Sequence, residues 1–363
     1  MENKKIRMAI TQGDVNGIGC EVILKTFADP TMLDFCTPVI YGSPKVLAYY
    51  RKALDLPTTF TIVNSAAEAA DGHLSVVNCN DDEVKVELGK PTAESGKAAL
   101  EALEKAVQEY RKGLFDVLVT APVDKSTIQS DTFRFHGHTE YLEDRVGDGQ
   151  KALMVLCRGD LRVALVTSHV PHKEVAGTLT QELVQEKLAL FHESLQMDFA
   201  LPAPRIAVLA LNPHAGDNRL LGSEEADIIA PAIEAARQEG ILCFGPFSSD
   251  GFFGAGAYSK FDGVLAMYHD QGLIPFKLLA MDEGVNFTAG LPLVRTSPDH
   301  GTAYDIAGKG EASEESFRCA IYTAIDVWRN RRHEKMLRRN PLHKLYFEHR
   351  DDSDKLKLDL MGD

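Results

Sequence analysis

Positive charge is in short supply in this chain of 363 residues, whose formal net charge is −14 at pH 7. That excludes an ordinary nucleic-acid binder, because such affinity comes from a basic face that displaces counterions. It leaves room for a small anionic ligand, since a local Lys/Arg cluster acts against the global sign. Cysteine is sparse too. Cys20, Cys36, Cys79, Cys157, Cys243 and Cys319 are scattered, with no CxxC pair, so reduced thiols in a cytosol are expected. No apolar run reaches membrane length, and no signal-type apolar segment precedes the first strand. We therefore expect a soluble, cytoplasmic protein. Internal repeats and low-complexity linkers are also missing. So is a dinucleotide-binding GxGxxG joining a first strand to a helix: the nearest N-terminal pattern, Gly13-Asp-Val-Asn-Gly-Ile-Gly19, has the wrong glycine spacing.

What is present is apolar mass in alternating patterns. At 44% hydrophobic content the chain can bury a large core without staples, and its length suits two domains. Ile6–Thr11 and Pro38–Tyr41 read as strands, with a helix over Glu21–Phe27 between them. Leu100, Leu103, Val107 and Tyr110 follow helical spacing within Glu94–Lys112, and Asp116–Thr120 returns as a strand. The cycle repeats through helices over Gln181–Gln196 and Ser223–Gln238. Strands alternating with helices predict an α/β protein with a mainly parallel sheet covered on both faces.

Three histidines stand directly after strand-like runs. They end Val163-Ala-Leu-Val-Thr-Ser-His169, Ile206-Ala-Val-Leu-Ala-Leu-Asn-Pro-His214 and Val264-Leu-Ala-Met-Tyr-His269. Ligands of open α/β sheets gather outside the carboxyl ends of strands. Three imidazoles at three such ends suggest one shared site, and three nitrogen ligands leave an open position on a divalent metal. Asp270 follows His269 and is placed to accept its second ring N–H.

Three further segments carry chemistry. In Phe135-His-Gly-His-Thr-Glu-Tyr141, His138 and Thr139 follow a glycine that permits close backbone approach. The segment reads either as an anion site or as a polar helix cap through Thr139 and Glu140. Downstream of His269 come Lys277, Asn286 and Arg295. Two cations and an amide suit an oxyanion, or they are three unrelated surface groups. Asp299-His-Gly-Thr-Ala-Tyr-Asp-Ile-Ala-Gly-Lys-Gly310 is a glycine-punctuated loop whose backbone can approach a nucleotide.

These segments resemble the 4-hydroxythreonine-4-phosphate dehydrogenases of vitamin B6 biosynthesis. The likeness runs from Thr11-Gln-Gly-Asp to about Trp328. It is carried by Gly137-His-Thr-Glu-Tyr-Leu, Leu211-Asn-Pro-His-Ala-Gly, Tyr268-His-Asp-Gln-Gly-Leu-Ile-Pro-Phe-Lys and Asp299-His-Gly-Thr-Ala. The resemblance implies a two-domain α/β/α fold of the isocitrate/isopropylmalate dehydrogenase-like kind, with the active site in the interdomain cleft. It places one domain over 1–135 plus 290–345, a second over 136–289, and a tail over 346–363. It implies metal ligation by His169, His214 and His269, and substrate contacts from His138, Thr139, Lys277, Asn286 and Arg295. NAD, or NADP as the alternative, would lie on His300, Gly301, Thr302, Ala303, Asp305 and Gly308. Lys277, Asp250 and Asp270 are the candidates for roles at the reacting centre, the aspartates by orienting the metal shell. Nitrogen ligands favour zinc or cobalt, with magnesium admitted by bound oxygens. A homodimer sharing each metal site between subunits is implied, with no nucleic-acid or membrane partner.

The implied reaction oxidises 4-phosphooxy-L-threonine at C3 and then removes carbon dioxide, giving 3-amino-2-oxopropyl phosphate. The chain departs from the family at Val15-Asn16 and Cys20, where Pro-Ala and Pro are usual, and at Asp124, where many members have His. Those departures keep open the sister dehydrogenases of D-threonate or D-erythronate 4-phosphate. A phosphate acyltransferase of related architecture needs neither the three histidines nor a nicotinamide, and a non-catalytic metal-binding descendant has no use for all eight positions.

Overall fold

The computed structural model describes residues 5–80, 84–129, 133–135 and 137–339; the tail expected over 346–363 lies outside them. Among the described residues twelve strands form one sheet. They are β1 (Ile6–Thr11), β2 (Cys36–Gly42), β3 (Thr61–Val63), β4 (Ser75–Asn78), β5 (Val117–Thr120), β6 (Leu153–Arg158), β7 (Leu161–Leu165), β8 (Ile206–Leu209), β9 (Cys243–Phe247), β10 (Gly263–Ala266), β11 (Val285–Ala289) and β12 (Val294–Pro298). The helices are α1 (Gly19–Thr26), α2 (Met32–Phe35), α3 (Pro44–Ala53), α4 (Ala93–Arg111), α5 (His138–Val146), α6 (Val175–Thr178), α7 (Gln181–Met197), α8 (Ala230–Gln238), α9 (Ser249–Gly254), α10 (His269–Ala280) and α11 (Glu315–Arg339).

The sheet order is β3-β4-β2-β1-β5-β12-β11-β6-β7-β10-β8-β9. The expectation of a mainly parallel sheet holds for its two flanks, β3 through β12 and β7 through β9. The middle differs. There β11 runs antiparallel to both β12 and β6, and β6 turns back into β7. The β6–β7 turn is Gly159-Asp160, with Gly159 at φ 52°. A glycine-containing two-residue loop between apolar runs is a hairpin signal. The reading by strand–helix alternation passed over it.

Parallel strands covered on both faces are apolar throughout, as β2 is with all seven residues buried. The helices lie where their apolar stripes meet those faces. Helix α4 starts on a capping box in which Thr92 accepts from Ser95 N–H and Ser95 Oγ from Thr92 N–H. Helix α7 starts on Thr180, whose hydroxyl accepts from Leu183 N–H. Helix α10 packs against β7 through Gly272, where a Cβ would stand 2.7 Å from Leu165 Cδ2. That close approach sets the height of His269 at the start of α10. All six cysteines are free thiols. Among the described residues no helix is long and apolar enough to cross a membrane.

Candidate active site

A cleft of about 420 Å³ opens where the sheet changes from parallel to antiparallel. Its floor is one face of β12, β11 and β6. Successive residues of a strand face opposite sides, so Arg295 and Ser297 of β12 share a face with Asn286 of β11 and Leu156 of β6. Its walls are the segment after β5, the N-terminus of α5, the turn after β7, the start of α10 and the segment after β12. The cleft gathers His138, Thr139, His169, His269, Asp270, Lys277, Asn286, Arg295, His300 and Gly301.

The floor sets a buried cation beside unpartnered polar atoms. Arg295 is 3% exposed. Its Nε and Nη2 donate to Thr120 Oγ1 at 3.1 and 2.6 Å, and Nη1 donates to Thr288 Oγ1 at 3.3 Å. Those acceptors are neutral hydroxyls. Burial pushes the guanidinium down to about 10, with the charge of Glu140 opposing. His138 Nε2 and Asn286 Oδ1 are buried without hydrogen-bond partners. Burial first, then the charges of Arg295 and Lys125, hold His138 well below the usual imidazole range. Buried polar groups are ordinarily satisfied. Both orphans line the cleft with the Arg295 guanidinium.

The walls hold two paired histidines. His169 Nδ1 meets Glu140 Oε1 at 2.8 Å, and His269 Nδ1 meets Asp270 Oδ1 at 2.7 Å. Each carboxylate accepts Nδ1–H and so leaves the Nε2 lone pair outward, the orientation a metal requires. The two rings lie 6.4 Å apart between centroids. Glu140 itself is partly buried. Burial opposes its ionisation, but the hydrogen bond from His169 and nearby cations outweigh it, holding the carboxyl below the usual range. Lys125 Nζ lies 2.8 Å from His169 Nε2. Burial draws the Lys125 ammonium down, and Glu140 draws it back up. Lys277 Nζ donates to Asp299 O at 3.1 Å and lies 3.8 Å from Asp299 Oδ2. Burial raises the Asp299 carboxyl against that cation.

The third histidine is elsewhere. His214 is exposed on the turn after β8 and does not line the cleft. Among the described residues of one chain, no group of three or more His, Cys, Asp or Glu is placed to hold a metal. His214, Ala215, Asp217, Asn218 and Arg219 all have positive φ, between 40° and 74°. Such a run of non-glycine residues stores strain of the kind found at functional turns. Asp250, at the start of α9, is also outside the cleft. Ser248 Oγ–H and the Gly251 N–H hold its carboxyl low, with the His214 charge contributing. His214 and Asp250 thus form a second pole, apart from the cleft.

Of the expected cofactor loop, His300 and Gly301 line the cleft, and Thr302, Ala303, Asp305 and Gly308 do not. The loop is braced by the glycine-rich segment after β1. Ile18 N–H donates to Thr302 O at 3.0 Å, and Tyr304 Oη–H donates to Asp14 Oδ2 at 2.8 Å. Ala303 has φ 43°, and Gly308 sits where a Cβ would strike Leu88. Reading the sequence missed Lys125, Glu140 and Asp299 as site residues. Glu140 had a signal, since it follows His138 at two positions, but it was read as part of a helix cap.

The comparisons with known proteins agree with one another. The family model described as pyridoxal phosphate biosynthetic protein PdxA matches residues 34–324. The chain is 66% identical over 363 residues to the 4-hydroxythreonine-4-phosphate dehydrogenase of Bacteroides thetaiotaomicron, covering all of both chains. It is 42% identical over 334 residues to that of Geobacter metallireducens, covering 91% of this chain and 97% of the relative. Among solved structures, the 4-hydroxythreonine-4-phosphate dehydrogenase of Klebsiella pneumoniae superposes with a TM-score of 0.76 at 34% identity, over 90% of this chain and 99% of that one. A putative 4-hydroxythreonine-4-phosphate dehydrogenase of Salmonella typhimurium superposes with a TM-score of 0.77 at 35% identity, over 89% of this chain and all of that one.

Proposed function

Because the chain belongs to the PdxA family of pyridoxal phosphate biosynthetic proteins, we propose that it works as a 4-hydroxythreonine-4-phosphate dehydrogenase through the cleft floored by Arg295. Its α/β fold is shared with the solved 4-hydroxythreonine-4-phosphate dehydrogenase of Klebsiella pneumoniae, and in this reading it is of the isocitrate/isopropylmalate dehydrogenase-like kind. The strand order supports a division into two lobes. Strands β1–β5 and β12 make up one flank, within 1–135 plus 290–345, and β6–β11 make up the other, within 136–289. The six free thiols fit a cytoplasmic setting.

The substrate in this reading is 4-phosphooxy-L-threonine. Arg295, His138, Thr139 and Asn286 hold its anionic ends, because these groups offer a buried guanidinium fork and unpartnered polar atoms together. Lys277, braced by Asp299, faces the same cleft and stabilises charge near the reacting carbons. Held at both ends, the C3–H bond is aimed at the cofactor side, where His300 and Gly301 form the wall. NAD on the 300–310 loop supplies the hydride acceptor. A divalent metal, zinc or cobalt before magnesium, would be held by the histidines and would supply Lewis acidity at the C3 oxygen. The product is 3-amino-2-oxopropyl phosphate.

His169 and His269, each backed by a carboxylate, suit that metal, and His214 comes from a second copy of the chain. Exposed apolar side chains support such a dimer. Ile274, Leu278 and Met281 form a stripe along the outer side of α10, 59%, 82% and 72% exposed, and Leu220 and Leu221 are exposed beyond His214. Side chains of that size, left bare beside the cleft, gain from burial against a partner. Asp250 then acts by orienting His214, and Asp270 by orienting His269.

The observation that carries this reading is Arg295, buried with only hydroxyl partners among the described residues. The test follows NADH at 340 nm with 4-phosphooxy-L-threonine, with chelator, and with zinc, cobalt or magnesium restored. Chelator-sensitive turnover releasing carbon dioxide is expected. NADH from D-threonate or D-erythronate 4-phosphate alone would transfer the protein to the sister reaction.

A further inference from the structure

One contact in the cleft has no part in the reaction as described. Lys125 Nζ stands 2.8 Å from His169 Nε2, while Glu140 Oε1 holds Nδ1 of the same ring at 2.8 Å. With Nδ1–H donated to the carboxylate, Nε2 carries the lone pair, and the ammonium donates to it. That lone pair is the one a metal would take. It cannot serve both at once, and two cations that close repel each other.

Resting on the metal reading above, we propose that Lys125 is the resident cation of the metal position. It holds His169 Nε2 when no metal is bound, yields that atom to a divalent ion, and then turns its ammonium to the anionic substrate. Three observations support the swap. Lys125 lies on the segment after β5, Glu140 on α5 and His169 on the turn after β7, so the contact joins three separate segments. Its side chain is long, carries a compact point charge, and belongs to an exposed residue at the cleft's edge. Its charge already acts on His138, which sits beside Arg295 at the anion end. The charged groups that line the same cleft are Glu140, Asp270 and Asp299 as anions, and Arg295 and Lys277 as cations.

Metal and substrate are therefore coupled. Metal binding must break the Lys125–His169 bond, and doing so delivers a cation where the anion binds. Such coupling is reciprocal. Co²⁺ is the probe, titrated into the full-length metal-free protein and followed by calorimetry and visible absorption. Lys125→Met should bind Co²⁺ about five-fold more tightly than wild type or better, and Lys277→Met, which loses the same charge without touching Nε2, should change affinity by less than about two-fold. Lys125→Ala serves as a second variant, and circular dichroism checks the fold of each. In wild type, acylation of Lys125 read by mass spectrometry should rise when Co²⁺ saturates the protein. Unchanged or weaker Co²⁺ binding by the Lys125 variants overturns the proposal. So does equal tightening in Lys277→Met, or a Lys125 acylation level that Co²⁺ leaves unchanged. Wild-type protein that binds no Co²⁺ overturns the metal reading itself.

Discussion

Replacing Arg295 with Met should damage catalysis and strengthen the fold at the same time. The guanidinium is 3% exposed, and among the described residues it hydrogen-bonds only to the Thr120 and Thr288 hydroxyls. A hydrogen bond to a charged group contributes about 1.5–3 kcal/mol. A two-pronged grip on a phosphate or carboxylate is then worth about 3–5 kcal/mol, which is roughly a hundred-fold to a few thousand-fold in kcat/KM. Stability moves the other way. A buried charge that no carboxylate hydrogen-bonds costs several kcal/mol, of which the nearby Glu140 charge returns a part. Against that, each threonine hydroxyl loses a partner, at about 1 kcal/mol. The balance raises the unfolding free energy of the ligand-free protein by about 1–2 kcal/mol, a Tm increase of a few degrees or less for a chain of this size. Initial rates at 340 nm and urea unfolding in chelator read the two quantities separately. Arg295→Lys keeps the charge and loses the planar fork, so its kcat/KM should fall in between. A Met variant within about ten-fold of wild type in kcat/KM, or one destabilised by more than about 2 kcal/mol, would show that Arg295 braces the sheet instead of waiting for an anion.

Other expectations follow from the same geometry. His214→Ala should abolish turnover and leave a folded dimer, as should His169→Ala. Mixing the two after unfolding and refolding should restore activity, because one of the two shared sites in a mixed dimer keeps all three histidines; no rescue would mean that the site is not shared. His138 has a folded pKa below its ordinary 6.5, so below that pH the unfolded chain binds the proton that the folded chain refuses. Unfolding free energy measured in chelator should therefore decline as pH falls through about 6.5, and His138→Gln should flatten that decline. Gly272→Ala places a Cβ 2.7 Å from Leu165 Cδ2 and 3.0 Å from Val163 Cγ1. Although alanine favours helix, overpacking should dominate, with a loss of about 1–3 kcal/mol and weaker Co²⁺ binding as α10 lifts His269. Gain of stability with unchanged Co²⁺ affinity would refute the close-packing account.

Local elements were legible in the chain because their signals are local. The β1 run, the α4 periodicity and the start of α7 on Thr180 all depend on neighbours within a few residues. The loops that carry the histidines were legible for the same reason: each follows a continuous apolar run that can only be a buried strand or helix. The antiparallel centre was harder. Only Gly159-Asp160 announces it, and β11 looks in sequence like any other short strand. Yet that centre floors the cleft, because it sets Asn286 beside Ser297 and Thr288 beside Arg295.

By itself, then, the sequence determined the α/β class, the net negative charge and the set of residue types on offer to a ligand. Tertiary structure alone decided which of them meet. Arg295 reads in sequence as an ordinary cation and becomes a desolvated guanidinium only when three strands bury it among hydroxyls. Glu140 reads as a cap residue and becomes a partner of His169 only because α5 reaches the turn after β7. His214 reads as the equal of His169 and His269, and lies apart from both in the fold. The physical reason is common to all three. Spacing along a chain limits what a residue can touch locally, but charge, desolvation and ligand geometry depend on groups brought together from distant strands, and those distances exist only in the folded sheet.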